Sequence, residues 1–185
     1  TKVHGDNNSL DYAVKIWLEI NLKNDSLSFK PGPLHRLDRK NTGLLAFSLS
    51  LKGAKWFSEN IENHNIKKTY LGICDGKLTR CEKWVDNMSK NEGSKGFITV
   101  KSDDKNGKTA VTNTKPLKSM TYSNRTITLT SFEIETGRTH QIRFQSAAHE
   151  HPLSGDTAYG SEALENSSRD FYLYAYKLHF QKKHH

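Results

Sequence analysis

Near the C-terminus, Tyr172, Tyr174, Tyr176, Leu178 and Phe180 occupy alternate positions without a break. In an extended chain successive side chains point to opposite faces, so this run predicts a strand that gathers all five on one face. A single strand is unstable by itself and must find partners in a sheet. Candidates lie upstream at 69–74, at 97–100 paired with 109–114 across the charged turn Asp103-Asp104-Lys105-Asn106-Gly107, and at 126–135. Within 126–135, Ile127 and Leu129 lie on one parity and Phe132 and Ile134 on the other, which predicts a bulge between them. Residues 44–47 read as a short buried strand after the extended turn Pro31-Gly32-Pro33, and the polar stretch 87–96 as a loop.

Helices are fewer. Leu10, Ala13, Val14, Trp17 and Leu18 keep the spacing of an amphipathic helix, with Asn8 or Ser9 placed to cap it. A second helix is predicted over 52–61, and a third from a Thr139 cap through His149, after which Gly155-Asp156 ends a returning loop. Strands outnumber helices and no alternation of strand and helix runs along the chain. The fold class is therefore α+β, a mixed, largely antiparallel sheet with flanking helices.

The 185 residues suit one domain and can bury a core of useful size. A formal net charge of +8 favours a polyanionic partner, because basic surface gains affinity by releasing counterions from phosphates. Two cysteines, Cys74 and Cys81, are too few for a disulfide framework and too far apart for a CxxC site, so the expected compartment is the reducing cytoplasm. No apolar run reaches the length of a membrane span, and a monomer without membrane contact is expected. His184-His185 read as native residues or as the stub of a tag, and the start at Thr1 implies missing N-terminal residues.

Two segments concentrate the chemistry. His35-Arg36-Leu37-Asp38-Arg39-Lys40-Asn41-Thr42-Gly43 sets one carboxylate among three cations, a setting that suits a nucleophile or base and suits a plain ion pair equally well. Far downstream, Gly137-Arg138-Thr139-His140-Gln141-Ile142-Arg143 supplies further cations, with His140, Arg143 and Ala147 on one face of the predicted helix. His149 and His151 lack a carboxylate or thiolate at ligand spacing, so no metal is assigned.

In order along the chain, "HRLDRKNTGLL", "KKTYLGICDG", "GRTHQIRFQSAAHEHPLSGDTAYG" and "LYAYKLHF" resemble the signature blocks of the RluA family of pseudouridine synthases, and "VHGDNNSLD" resembles its opening segment. The resemblance implies a catalytic domain over 1–185 with a central RNA-binding cleft, acting on ribosomal (large-subunit) or transfer RNA without a cofactor. It implies Asp38 as the catalytic aspartate, Arg143 as the arginine paired with it, and Tyr70 as a tyrosine that stacks on the target base. Arg36 then matches an arginine that enters the RNA to displace the target nucleotide, Arg138 a phosphate contact, and Leu153 an apolar residue lining the base pocket. One departure stands out: Asn41-Thr42 replaces the usual Thr-Ser before Gly43.

Two rival readings compete. An RNA-binding protein of the same fold that has lost the chemistry would have no need to keep Asp38, Tyr70 and Arg143 together. A glycoside-cleaving enzyme would need two carboxylates at a defined separation, and Glu133 and Glu135 have no setting comparable to that of Asp38.

Overall fold

The computed structural model describes residues 9–21, 29–92, 98–122, 124–164 and 170–180; the opening segment before Ser9, Asn8 as a cap, Phe97 and the terminal histidines lie outside them. Helix α1 (Leu10–Asn21) starts where Ser9 Oγ accepts the Tyr12 N–H at 3.2 Å. Helix α2 (Leu51–Glu62) is capped by Ser50, whose side chain accepts from the Gly53 N–H. The second matches the sequence reading to within one residue at each end, and the first runs three residues past Leu18, the last position of its apolar pattern. Helix α3 (Gln141–Ala148) does not start on Thr139: His140 is the N-cap in a left-handed conformation, and the Arg138 N–H bonds Gln141 Oε1 at 3.0 Å.

The sheet is built from β2 (Thr42–Gly43), β4 (Ile66–Asp75), β5 (Glu82–Glu92), β6 (Ile98–Ser102), β7 (Lys108–Tyr122), β8 (Arg125–Ile134) and β9 (Leu173–Phe180), while β1 (Gly32–Pro33) and β3 (Phe47–Ser48) form a separate pair. The order is β2-β9-β4-β8-β7-β5-β6, antiparallel throughout except for the parallel contact of β2 with β9. That is the mixed, largely antiparallel sheet the sequence calls for.

Several local expectations fail, each for a physical reason. Residues 87–92 are not loop but the second half of β5, which lies between β6 and β7 and pairs with both. The expected direct pairing of 97–100 with 109–114 is therefore absent. No buried strand runs over 44–47: Leu44 is exposed, 44–46 is a loop, and Phe47 opens the two-residue strand β3.

The parity break in β8 needs no bulge, because the buried face continues as Thr128, Thr130, Phe132 and Ile134. Threonine tolerates this burial because Thr128 Oγ1 donates to Gly76 O at 2.8 Å and accepts the Leu78 N–H at 3.2 Å. The bulge lies in the neighbouring strand instead, where Leu117 is the extra residue between Pro116 and Lys118. The clean alternation of β9 hides another, since Ala175 faces Tyr70 while Lys177 faces Thr69 and leaves Tyr176 over. The five alternating residues consequently do not share a face. Leu173 and Ala175 enter the core, Tyr174 lies on the exposed face, and beyond the bulge Phe180 meets Trp56 of α2 with ring centroids 5.8 Å apart.

The main core covers one face of the sheet, where Tyr70, Cys74, Trp84, Phe132, Leu173 and Ala175 pack with Ile142 of α3 and with Leu153. The opposite face carries the ion pairs Lys67–Glu133 at 3.2 Å and Lys83–Glu135 at 2.9 Å. Helix α3 therefore brings the second motif onto the buried face of the strand that carries Tyr70. Among the described residues no helix is long and apolar enough to cross a membrane.

Candidate active site

Asp38 sits on a loop closed at its base. The Leu34 N–H reaches Ala46 O at 2.8 Å, and the Ala46 N–H reaches His35 Nε2 at 3.1 Å, while the His35 ring stacks on Phe57 of α2. Beyond the aspartate the Asn41 N–H bonds Asp38 O at 2.9 Å, a tight turn that projects the side chain. Gly43 then docks the loop against β9 with φ +119°, and the Leu44 N–H bonds Ala175 O at 2.9 Å. A Cβ on Gly43 would overlap the Ala175 backbone, so only glycine allows this approach.

The loop, β4 and the turn before α3 enclose a cavity of about 200 Å³ lined by Asp38, Tyr70, Arg36, Arg138, Lys68 and Asn41, with Ile134, Ile142 and Leu173 as an apolar floor. Four of the six residues singled out in the sequence thus meet in one place. Burial, and secondarily the charge of Asp38, push the Tyr70 phenol up to about 12, so it stays protonated and can donate a hydrogen bond. Arg36 and Arg138 are exposed, and Arg138 Nε is tethered to Thr109 O at 3.0 Å. Asn41 Oδ1 is buried and has no hydrogen-bond partner among the described residues.

The other two residues stand elsewhere. Leu153, expected in the base pocket, has no exposed surface and is not among the residues that line this cavity; its backbone bridges to Cys74 in the core. Arg143 does form the bidentate carboxylate clamp expected of it, but with a different acid. Its Nε and Nη2 each reach the Asp156 carboxylate at 2.7 Å, and no ion pair within 4 Å joins Arg143 to Asp38. The guanidinium lies between the rings of Tyr159 and Phe171, at 4.9 and 4.6 Å from their centroids. Burial works against its charge, yet the hydrogen bonds and charge of Asp156 raise its pKa above the ordinary arginine value, with smaller help from Tyr159 and Asp38. Asp38 therefore feels Arg143 as a nearby fixed cation rather than as a hydrogen-bond partner.

Sequence reasoning missed Lys68, Asp156, Tyr159 and the role of His140. Lys68 was findable, since it stands two residues before Tyr70 on the same strand. Its ammonium is pulled below the ordinary lysine range by burial. Asp156 and Tyr159 lie in the "GDTAYG" block, but nothing local indicates that they hold Arg143. His140 joins them: its Nε2 lies 3.2 Å from Arg143 Nη1 and its Nδ1 2.9 Å from Tyr159 Oη. A guanidinium only donates, so Nε2 is the unprotonated nitrogen and Nδ1–H donates to Tyr159.

Burial, and then Arg143, lower the His140 pKa, while burial and then Lys68 lower that of His35. A histidine whose folded pKa lies below its unfolded value binds more protons when unfolded. Its stabilising contribution is complete above about pH 6.5 and is lost as pH falls toward the folded pKa. The urea midpoint should accordingly drop between pH 7.5 and pH 5.5, and His140→Gln should remove part of that drop. A midpoint independent of pH across this window would contradict the neutral-histidine assignment.

One carboxylate beside a protonated phenol, with arginines at the rim, makes a site suited to acid–base or nucleophilic work on an anionic substrate. The chain belongs to the RNA pseudouridylate synthase family, whose model matches residues 2–148. It is 33% identical over 178 residues to ribosomal large subunit pseudouridine synthase C of Rickettsia bellii, covering 96% of this chain and 56% of that protein. It is 31% identical over 161 residues to tRNA pseudouridine synthase C of Vibrio cholerae, covering 80% of this chain and 66% of that one. The fold matches the structure of human RNA pseudouridylate synthase domain containing 1 with a TM-score of 0.68 at 23% identity, over 83% of this chain and 65% of that one. The chain spans little more than half the length of the Rickettsia relative.

Proposed function

We propose that this chain isomerises uridine to pseudouridine in RNA, with Asp38 as the catalytic group. The observation that carries the reading is the convergence of Asp38, Tyr70, Arg36 and Arg138 on one cavity from three separated segments, in a chain of this family. The reaction breaks the bond from C1′ to N1, turns the uracil, forms the bond from C1′ to C5 and releases the C5 proton. Atoms and electrons balance without a cofactor. Asp38 either attacks C1′ or removes a ribose proton. Tyr70, protonated and buried, stacks on the loosened uracil or bonds its edge, and stacking of this kind contributes roughly 1–3 kcal/mol per base. Ile134, Ile142 and Leu173 supply the apolar surface beneath the ring.

Arg36 takes the space left by the displaced nucleotide and Arg138 meets phosphate, since a base inside a helix has to leave its stack before it can be reached. Arg143, held by Asp156, keeps a fixed positive charge near Asp38. The names of the relatives favour large-subunit ribosomal RNA or transfer RNA as the substrate.

The test is release of tritium from C5-labelled uridine in ribosomal and transfer RNA transcripts, because substrate and product have equal mass. Wild-type protein should release label and leave the uracil attached to the RNA. Free uracil would indicate glycosidic cleavage, and no release from any transcript would favour an inactive RNA-binding protein.

A further inference from the structure

Gly137, Arg138 and Thr139 form a ridge with the candidate active site on one side and a second cleft of about 400 Å³ on the other. Lys90 of β5, Lys108 at the start of β7 and Arg138 rim this cleft, and Met88 and Val100 form its floor. The floor is firm: Met88 and Val100 are buried with Ala110 in a small core of their own, against which Phe144 of α3 packs. The Val100 N–H bonds Tyr159 Oη at 3.0 Å, which ties the floor to the residues around Arg143.

The rim is basic. None of Lys90, Lys108 and Arg138 has a carboxylate partner within 4 Å among the described residues. The nearby acid Asp103 is turned onto the Asn106 N–H at 2.9 Å and is also bonded by Ser89. Three unneutralised cations around an apolar floor match a phosphate joined to a sugar and base, with the phosphate at the rim and the apolar surface beneath the ring.

We propose that this cleft is a second nucleotide subsite, which takes the phosphate and ribose of a nucleotide next to the target uridine. It rests on the RNA reading of the first cavity. Arg138 belongs to both walls and sits where the strand crosses the ridge. The subsite explains why β5 and β6 extend beyond the core, carrying Lys90 and Val100 out to a position that faces the turn before α3.

The probe is a fluorescein-labelled RNA hairpin with a uridine loop, followed by fluorescence anisotropy across a series of potassium chloride concentrations. Lys90→Ala/Lys108→Ala is compared with wild type and with Lys67→Ala/Lys83→Ala, which removes the same charge from the opposite face of the sheet. Each lost contact to a single-stranded phosphate lowers the slope of log affinity against log salt by about 0.7. Lys90 and Lys108 flank the one phosphate of the subsite, so the cleft variant should be shallower than wild type by about 0.7, and the control should keep the wild-type slope. An unchanged slope in the cleft variant, or an equal change in both variants, would overturn the subsite while leaving the RNA reading intact. Failure of wild type to bind the hairpin at any salt would remove the RNA reading and the subsite together. Uridine monophosphate should compete no better than chloride at equal ionic strength, and displacement at micromolar concentration would reassign the cleft to a small phosphorylated ligand.

Discussion

Asp38→Asn is expected to abolish tritium release from C5-labelled RNA, a loss on the order of 10⁴-fold, while hairpin affinity stays close to wild type. Asparagine keeps the shape of the side chain and most polar contacts of the turn but can neither attack C1′ nor accept a ribose proton. The turn itself is made by the backbone bond from the Asn41 N–H to Asp38 O, which the substitution leaves in place. Loss of activity in this variant therefore reports on the carboxylate and not on the loop. Substantial release by Asp38→Asn would show that the reacting carboxylate lies elsewhere. Binding that collapsed along with activity would mean that Asp38 holds the RNA or the loop.

Asp156→Ala should destabilise the protein by about 3–5 kcal/mol, because it strands the Arg143 guanidinium without a partner. The pair is well shielded, with side-chain exposures of 11% for Arg143 and 2% for Asp156. The two residues can be separated energetically. Arg143→Met/Asp156→Ala should recover part of the lost stability, since the buried charge goes with the carboxylate. Urea denaturation of the single and double variants measures the coupling. A cost below about 1 kcal/mol for Asp156→Ala would mean that Arg143 finds another acid. Asp38 also favours the charged form of Arg143, so a new pair between these two would show as a change in tritium release.

Much of the fold was legible because period and turn chemistry are local. The Ser9 cap, the helix over 52–61, the strand carrying Tyr70 and the mixed sheet all follow from residues within one turn or one strand of each other. Part of the candidate site was legible through its motifs, in that Asp38, Arg36, Tyr70 and Arg138 line one cavity. Register was not. The run from Tyr172 to Phe180 alternates without a break, yet the strand bulges at Tyr176 because β4 and the contact of Phe180 with Trp56 set its pairing. In β8 the opposite happened, and an apparent parity break was filled by buried Thr128 and Thr130, the first of which bonds the turn after β4 through its hydroxyl.

What the sequence determined by itself was the kind of elements, the acid that stands among cations and the family of the chain. These depend on which residues neighbour each other along the backbone and on which side chains can do chemistry. Only the tertiary structure decided the partners. A carboxylate that clamps Arg143 can come from anywhere the chain returns to, and it came from Asp156 through a loop entered by Gly155 at φ +90°, a conformation glycine reaches without strain. Leu153 went to the core for the same reason. An apolar side chain takes whichever buried space the packing leaves, and β4 with its Cys74 bridge left that space beneath the sheet and not beside Asp38.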